Sequence, residues 1–214
     1  MVTARQNFQG SARPTSSRQA AYTARNRAAL VSAAQEVLSE FGTNGTVEQL
    51  VAQAQISPAT IYNYFENKDA LLKEALNQIW HDWVLWAYDG KRPGESFGDM
   101  IDVCRKLFRV GQSHPLFAKV LSKTLTDPTF VIDAVRGDSE SALRDVAGSA
   151  GLEGPDFDKR ARLWSYSLAG ILHGVHVTGE LTSTEADKFL AISLSLWNLS
   201  SAKANKLTSR PLTG

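Results

Sequence analysis

Residues 46–65 of this 214-residue chain read TVEQLVAQAQISPATIYNYF and contain two short helical patterns separated by a turn. In the first pattern, Thr46 and Gln49 have the spacing of a capping box. From Val47 onward, apolar residues follow at i, i+3, i+4 and i+7, which is the spacing of one helix face. The first half of the stretch therefore predicts a short amphipathic helix.

The second pattern predicts another short helix with a polar outer face. Ser57 suits its N-cap, and Pro58 suits the first helical position, where a missing N–H costs nothing. Ile61 and Phe65 are placed to pack inward, which leaves on or near the outer face Ala59, Thr60, Asn63 and Tyr64. Two short helices joined by a tight turn are the outline of a helix-turn-helix, whose second helix enters the major groove of DNA.

Helical patterns continue on both sides of this pair. One begins near Arg25 and ends at Gly42, because glycine readily adopts the positive φ that stops a helix. After the pair, Asn67 can cap a longer helix that extends to Trp83. Further helices are predicted near residues 97–111, 115–125, 128–149, 156–178 and 184–204. No stretch alternates with the period of two that marks a strand, so the predicted fold class is all-α.

The chain is expected to have four parts. Residues 1–23 are polar and contain no Asp or Glu, so they are predicted to form a flexible basic arm. Residues 24–70 are predicted to form a three-helix helix-turn-helix DNA-binding domain. Residues 71–206 are predicted to form a larger helical domain, and residues 207–214 a frayed tail.

The composition narrows the class of protein. The 23 Lys and Arg residues oppose 22 Asp and Glu residues, so any binding of nucleic acid must come from a local basic patch. No apolar run approaches the roughly 18–20 residues of a membrane span, and no secretory signal is recognisable, so no membrane partner is predicted. The single cysteine, Cys104, excludes an intramolecular disulfide and is interpreted as a small buried hydrophobe. These features predict a cytoplasmic protein.

The region from residue 27 to residue 72 resembles the DNA-binding region of the TetR family of transcriptional regulators. The matching segments are Ala33-Ala34 with Phe41-Gly42, and residues 46–51, 56–65 and 67–71. The turn departs from the family pattern because Gln55 stands where glycine is usual, and a left-handed residue other than glycine costs roughly 1 kcal/mol. The resemblance implies a second, larger helical domain for ligand binding and dimerisation.

Several residues of this region are predicted to contact DNA. Hydroxyls at helix N-termini can bind phosphates, and the resemblance implies phosphate contacts from Tyr62 and Lys68. Asn63 could pair with adenine. Tyr64 could instead pack in the core, and Arg25 could be a solvated helix end. The predicted DNA-binding residues are Arg25, Arg27, Thr46, Ser57, Pro58, Ala59, Thr60, Tyr62, Asn63, Tyr64 and Lys68.

The last two predicted helices carry small and apolar residues on one face, which favours a dimer with two helices from each chain. Residues 58–65 contain no Arg or Lys for reading bases, so a monomer is expected to bind weakly and a homodimer to read two half-sites. The alternative is burial of this face within one subunit. The predicted dimer residues are Leu163, Ser167, Gly170, Gly174, Phe189, Ile192, Ser193, Leu196 and Ser200.

The middle helices hold many of the aromatic residues and are expected to enclose an effector that is apolar or aromatic. Any one of these aromatic side chains could instead belong to the core. The candidate ligand-binding residues are Trp80, Trp83, Trp86, Phe108, Phe117, Trp164 and His173.

Catalytic and metal-binding alternatives find little support in the sequence. His173 and His176 lie three residues apart on one helix, but no clear third ligand accompanies them, so no metal site or cofactor is predicted. No nucleophile motif or glycine-rich phosphate loop appears, so an enzyme is not predicted. The sequence predicts a ligand-responsive repressor that binds a palindromic operator as a dimer. The alternative is a helical regulator controlled by a protein partner.

Overall fold

The computed structural model describes residues 17–212, and the regular elements of this part are all helical, which confirms the all-α fold. The helices are α1 (Ser17–Phe41), α2 (Val47–Ala54), α3 (Pro58–Tyr62), α4 (Lys68–Ala87), α5 (Phe97–Leu107), α6 (Pro115–Thr124), α7 (Pro128–Ala150), α8 (Phe157–His173), α9 (Ser183–Ser193) and α10 (Ser201–Thr208).

The first three helices and the start of α4 form a small bundle around fully buried aliphatic side chains. Leu38 of α1, Leu50 of α2, Ile61 of α3 and Leu72 of α4 have no exposed surface. Each lies on the apolar face that the spacing of hydrophobic residues predicts for its helix. This shared core fixes α3 relative to the other three helices.

The bundle rests on the larger helical part through the end of α1. Gly42 follows α1 with a φ of +61°, and a Cβ atom at this position would lie 2.5 Å from the carbonyl oxygen of Lys123 in α6. Only glycine therefore allows the two backbones to approach this closely. The predicted helix stop at Gly42 is also a contact between the two halves of the chain.

The prediction of a flexible arm over residues 1–23 is wrong for residues 17–23, which form the first turns of α1. Ala20, Ala21 and Ala24 have high helix propensity, and extending an existing helix avoids the cost of nucleation. The rest of the predicted arm, residues 1–16, lies outside the described residues.

Two predicted long helices are interrupted. The 156–178 helix is α8 followed by a π-helical turn, Gly174–Thr178. Of the predicted 184–204 helix, the first part is α9, which is followed by a 3-10 turn. Asn198, with a left-handed φ of 57°, ends this turn. Asparagine tolerates this conformation better than most residues because its short side chain can bond locally. The chain then begins α10 with Ser200 as its N-cap.

The prediction of a frayed tail over residues 207–214 is wrong for residues 207–210. Thr208 is buried at the end of α10, and Leu207 packs against the core. The Arg210 guanidinium donates hydrogen bonds to the Asp102 carboxylate and to the Gly98 carbonyl of α5. Apolar contact and an ion pair therefore hold this end of the chain in place.

Candidate nucleic-acid interface

The α2–α3 segment has the geometry of a helix-turn-helix. The predicted capping box is present: the Thr46 hydroxyl accepts from the Gln49 N–H at 3.3 Å, and the Gln49 side chain accepts from the Thr46 N–H at 2.8 Å. Gln55 occupies the turn in the left-handed conformation, with φ 55° and ψ 45°. Ser57 precedes α3 in an extended conformation, and its hydroxyl lies 2.9 Å from that of Thr60.

Most of the polar face of α3 is open to solvent. Ile61 and Phe65 are buried in the bundle, as their spacing predicts. On the other side, the Tyr62 side chain is 55% exposed. The exposed residues beside it are Ser57, Pro58, Ala59 and Asn63, while Thr60 is half-buried. The side chains predicted to meet DNA are therefore not buried against their own subunit.

The sequence leaves two interpretations of Tyr64 open, contact with DNA and packing in the core, and its environment in the structure is intermediate between them. Its ring is half-buried and packs against the core, and its hydroxyl accepts a weak hydrogen bond from the Asn26 side chain at 3.4 Å. The residue therefore joins α1 to the end of α3.

Lys68 stands at the start of α4 with its ammonium group half-exposed. Its Nζ donates to the Thr43 carbonyl at 3.1 Å and lies 3.4 Å from the Asp69 carboxylate. The lysine thus ties the loop after α1 to the start of α4.

The N-terminus of α2 carries an acidic group of its own. Glu48 lies in the first turn, and hydrogen bonds from its own backbone N–H and from the Thr46 hydroxyl lower the pKa of its carboxyl group. Its negative charge therefore occupies the positive end of the helix that a phosphate would use. Ser57, at the start of α3, has no such acidic neighbour in the first turn.

The two arginines of α1 have different environments. Arg27 pairs with Glu74 of α4 at 3.0 Å, and its guanidinium lies over the Phe65 ring at 4.9 Å. These contacts join α1 to α4 within the bundle. Arg25 is exposed, and its guanidinium lies 5.8 Å from the centre of the Tyr22 ring.

A cavity of about 690 Å³ lies among α4, α5, α7 and α8. Three of the predicted ligand-binding residues, Trp80, Phe108 and Trp164, line this cavity. The cavity is also lined by residues that the sequence did not single out, among them Tyr88 and Cys104. The regular spacing of Met100, Val103, Cys104 and Leu107 along one face of α5 is a signal that could have identified this wall.

Four of the predicted ligand-binding residues do not line the cavity. Trp83 and Phe117 are buried and pack on each other with ring centres 5.6 Å apart. Trp86 packs on the imidazole of His114 at 4.6 Å, outside the cavity. The His173 Nδ1 lies 3.2 Å from the Leu125 carbonyl oxygen. Helical periodicity does not distinguish a side chain in the core from one that faces a cavity.

Two polar groups of the cavity wall, the Cys104 thiol and the Tyr88 phenol, are neutral at physiological pH. Burial raises the pKa of the Cys104 thiol to about 12, and burial is also the main cause that raises the pKa of Tyr88. Charged side chains, including Arg136, Glu140 and Arg144, line the cavity only where α7 and α8 contribute to it.

The surface formed by α8 and α9 exposes large apolar side chains. The exposed fractions are 56% for Leu163 and 66% for Ile192, and Tyr166 and Phe189 are also exposed. Gly170 lies in the open, with no atom within 4 Å of the position of a Cβ. This surface contains four of the predicted dimer residues. The half-buried Ser167 lies on α8, and the half-buried Leu196 lies in the 3-10 turn that follows α9.

Three other predicted dimer residues lie elsewhere. Ser193 is buried and accepts a hydrogen bond from the Trp164 indole N–H at 3.0 Å. Gly174 faces its own subunit, since a Cβ there would lie 2.7 Å from Leu181. Ser200 caps α10. The prediction that these residues form a dimer surface is wrong for Ser193 and Gly174, because both pack inside one subunit.

The described residues contain no cluster of three or more His, Cys, Asp or Glu side chains arranged to hold a metal ion. Between residues 17 and 212, no helix is long and apolar enough to cross a membrane.

Comparisons with known proteins agree with this geometry. Residues 30–75 match the family model described as bacterial regulatory proteins, tetR family. The HTH-type transcriptional regulator RutR of Escherichia coli O157:H7 is 27% identical over 137 residues, which cover 63% of this chain and 64% of RutR. The match therefore spans less than two thirds of the length of that regulator.

Solved structures show the same fold. The crystal structure of RolR in complex with resorcinol superposes with a TM-score of 0.65 at 19% identity and covers 91% of this chain and 98% of RolR. SmeT, the repressor of the Stenotrophomonas maltophilia multidrug efflux pump SmeDEF, superposes with a TM-score of 0.53 at 23% identity, covering 79% of this chain and 88% of SmeT. At these identities the superpositions establish the fold alone.

The fold and the α2–α3 geometry define a helix-turn-helix protein with a helical C-terminal half. Residues 30–75, which contain this helix-turn-helix, are similar to the DNA-binding region of the TetR family.

Proposed function

We propose that this protein is a cytoplasmic transcriptional regulator, and not an enzyme, that binds duplex DNA through α3. One observation carries the proposal: the exposed side of α3, around Tyr62 and Asn63, lies opposite the buried anchors of the same helix. A helix held in this way can enter the major groove without losing its core contacts.

Two kinds of DNA contact are proposed for this surface. Tyr62, Lys68 and the hydroxyl of Ser57 contact phosphates, which positions the protein without reading sequence. Asn63 reads a base edge, together with the small side chains of Ala59 and Thr60. Thr46 contributes less than its position predicts, because its hydroxyl already bonds the Glu48 carboxylate.

Mutations on this surface test the DNA contacts. The probe is a labelled duplex from the region upstream of the protein's own coding sequence, and binding is measured by fluorescence anisotropy. Lys68→Ala and Tyr62→Phe should weaken binding to all sequences alike, whereas Asn63→Ala should relax preference at one base pair by about 1–3 kcal/mol. Lys203→Ala on α10 is the control and should bind as wild type does. A wild-type protein that binds no duplex at low salt contradicts the proposal.

The protein is proposed to act as a homodimer through α8 and α9. The exposed apolar side chains of these helices form an apolar patch on the surface. Removing apolar surface from water is favourable by about 25 cal/mol per Å², and this free energy drives association. A two-fold dimer would present two copies of α3 to half-sites of a palindrome about 34–36 Å apart.

Ile192→Asp should yield a monomer in light scattering, and Leu116→Asp, an exposed apolar residue of α6, should leave the mass unchanged. If the wild-type protein is a monomer in light scattering, the homodimer proposal fails.

An apolar or aromatic effector is proposed to bind in the cavity and relieve repression. The part of the wall that α5 forms is apolar and neutral, and the cavity volume is within the usual range of ligand pockets. RolR, which has the same fold, was crystallised with resorcinol, a small aromatic compound. The C-terminal half of α4 lines the cavity at Trp80 and Val84, and Lys68 lies at the other end of this helix. Binding that tilts α4 would alter the placement of α3.

The effector proposal is tested by releasing the protein from DNA with apolar aromatic compounds, with Trp80 and Trp164 fluorescence as a direct report of cavity occupancy. Val103→Phe narrows the cavity and should abolish the response while DNA binding persists. If no compound acts but a cell extract does, and Val103→Phe still responds to that extract, the signal is a protein partner and the effector proposal fails.

A further inference from the structure

The cavity among α4, α5, α7 and α8 has one wall that is closed to solvent and another that is not. The α5 residues that line it, from Met100 to Leu107, are buried or half-buried. By contrast, several lining residues near the end of α7 and the start of α8 are exposed. The cavity therefore opens to solvent between these two helices, at a rim called here the α7–α8 mouth. The mouth residues are Arg144, Asp145, Asp158 and Arg162.

One ion pair joins the two sides of this mouth. The Arg144 guanidinium, on α7, donates to the Asp158 carboxylate, on α8, at 2.8 Å, and both residues line the cavity. The same guanidinium lies 5.3 Å from the centre of the Phe157 ring, which is another part of the α8 wall. The Arg144 side chain therefore crosses from one helix to the other at the rim of the cavity.

The exposure of this pair suits a contact that opens and closes. The side chains are 56% exposed for Arg144 and 74% exposed for Asp158. Exposed ion pairs contribute little to stability, because water and salt screen them, and exposed side chains change rotamer within nanoseconds. The pair between Arg105 and Asp187 is different, since its side chains are only 7% and 12% exposed and hold α5 to α9 inside the subunit.

We infer that the Arg144–Asp158 ion pair is the gate of the cavity, and that small uncharged molecules enter and leave through the α7–α8 mouth when this pair breaks. The inference rests on the proposed function, because it assigns the route of the proposed effector. With the pair formed, the two side chains occupy the rim. With the pair broken, both turn into solvent while the buried Phe157 beneath them keeps its place. Such a gate sets the rates of entry and exit alike, since it acts on the path and not on the bound state.

Cys104 offers a direct measure of access to the cavity. It is the single cysteine of the chain, and it lies on the α5 wall. Full-length protein is treated with iodoacetamide, a small uncharged reagent, and the labelled fraction is followed by mass spectrometry. Burial raises the pKa of the thiol, so labelling is slow, and rates are compared as ratios at one pH.

Variants of the ion pair should change this rate in a defined order. Arg144→Gln and Asp158→Asn should each speed labelling about two- to five-fold, which is the range expected for loss of an exposed ion pair. Arg144→Glu should speed it further, because two carboxylates then repel each other across the mouth. Adding Asp158→Arg to Arg144→Glu forms the pair in the opposite sense and should return the rate towards that of wild type.

Lys159→Gln is the matched control. It also removes one positive charge and breaks an exposed ion pair, with Asp156 at 3.3 Å, in the first turn of α8, but Lys159 does not line the cavity. Its labelling rate should equal that of wild type. All rates are repeated in dilute urea, where opening of a gate exposes little surface and the ratios should persist, whereas labelling through unfolding would rise steeply.

Three results overturn the gate. In the first, the Arg144 and Asp158 variants label at the wild-type rate, which means that the reagent enters elsewhere, for example beside the exposed His81 and Leu85 of α4. In the second, Lys159→Gln labels as fast as Arg144→Gln. In the third, the charge-reversed pair labels as fast as Arg144→Glu alone.

The outcome for the gate is separable from that for the proposed function. If an aromatic compound releases wild-type protein from DNA while the variants of the ion pair label like wild type, the gate fails and the effector proposal stands. If the variants label faster in the expected order and no compound releases the protein, the gate stands and the effector proposal fails.

Discussion

Gln55 is a single residue whose backbone conformation shapes the turn between α2 and α3. Its φ of 55° lies in the left-handed region, where a side chain with a Cβ costs roughly 1–2 kcal/mol. The N–H of Gln55 donates to the Val51 carbonyl and so closes α2. The sequence already indicated strain here, since glycine is usual at this position, and the structure places the residue in that conformation.

Replacing this residue by glycine is expected to stabilise the fold. Gln55→Gly should raise the free energy of unfolding by about 0.5–1 kcal/mol, because the relief of left-handed strain exceeds the entropy that glycine loses on folding. Urea denaturation followed by circular dichroism measures the change. Gln53→Gly is the control: it lies inside α2 and should destabilise by about 1 kcal/mol. A less stable Gln55→Gly protein contradicts the account.

Cys104 is expected to be unusually unreactive for a cysteine that lines a cavity. Its thiol has a pKa of about 12, so the reactive thiolate is scarce at pH 8. Against a free thiol with a pKa near 8.5, the thiolate fraction is lower by roughly a thousand-fold or more. In the native protein, the reaction of Cys104 with Ellman's reagent at pH 8 should therefore be slower than that of a free thiol by about a thousand-fold. In guanidinium chloride it should be as fast as that of a free thiol. Rapid labelling of the native protein contradicts this prediction.

At the scale of helices, short-range chemistry accounts for most of what the sequence could predict. The capping boxes and N-caps of α2, α4 and α9 involve residues three apart, and α3, α6 and α7 begin at a proline. Breaks inside helical patterns were harder to predict. No residue with a strong helix-breaking tendency marks the end of α9, and the chain stops only at Asn198.

Gly42 is the element boundary where a substitution should cost most. Gly42→Ala would require a Cβ 2.5 Å from the Lys123 carbonyl oxygen, in addition to a left-handed φ. The expected loss is about 2 kcal/mol or more in the free energy of unfolding, because the backbones of α1 and α6 must separate. Gly90→Ala is the matched control, with a φ of +75° and nothing within 4 Å, and should lose only about 1 kcal/mol. Equal losses in thermal or urea melts contradict a role for the close approach.

At the scale of the whole molecule, polar contacts hold α5 against the rest of the chain. Arg105 of α5 and Arg109, two residues after the end of α5, both donate to the Asp187 carboxylate of α9, the latter at 2.6 Å. On the cavity side, α5 presents only apolar and neutral groups, including Met100 and Cys104. The helix that forms a wall of the cavity is thus bonded directly to the helix with the exposed apolar surface.

His176 also forms a polar contact with α5, and the strength of this contact depends on pH. It lies in the π-helical turn after α8, and its Nε2 is 3.0 Å from the Leu107 carbonyl oxygen at the end of α5. Burial lowers the pKa of His176, and the hydrogen bond to Leu107 opposes this only in part. The unfolded chain therefore binds a proton more readily than the folded one.

The stability that His176 contributes is complete above its ordinary pKa of 6.5 and falls as the pH drops through that value towards the lowered pKa of the folded state. His176→Gln keeps a donor to Leu107 but cannot titrate, so its unfolding free energy should decline less between pH 7.5 and pH 5.5 than that of wild type. Urea midpoints at the two pH values measure this difference. A decline equal to that of wild type, with stability at pH 7.5 retained, contradicts the assignment.

The sequence by itself determined the helix-turn-helix and the all-α class, because caps and apolar spacing act over three to seven residues and leave a local pattern. Only the tertiary structure decided which of the aromatic side chains face the cavity, and that Ser193 lies inside the subunit. It also decided that Arg27 pairs with Glu74, 47 residues away, while Arg25 stays exposed. Such outcomes depend on contacts between distant segments, and their energies are set by burial and geometry that exist only once the helices have packed.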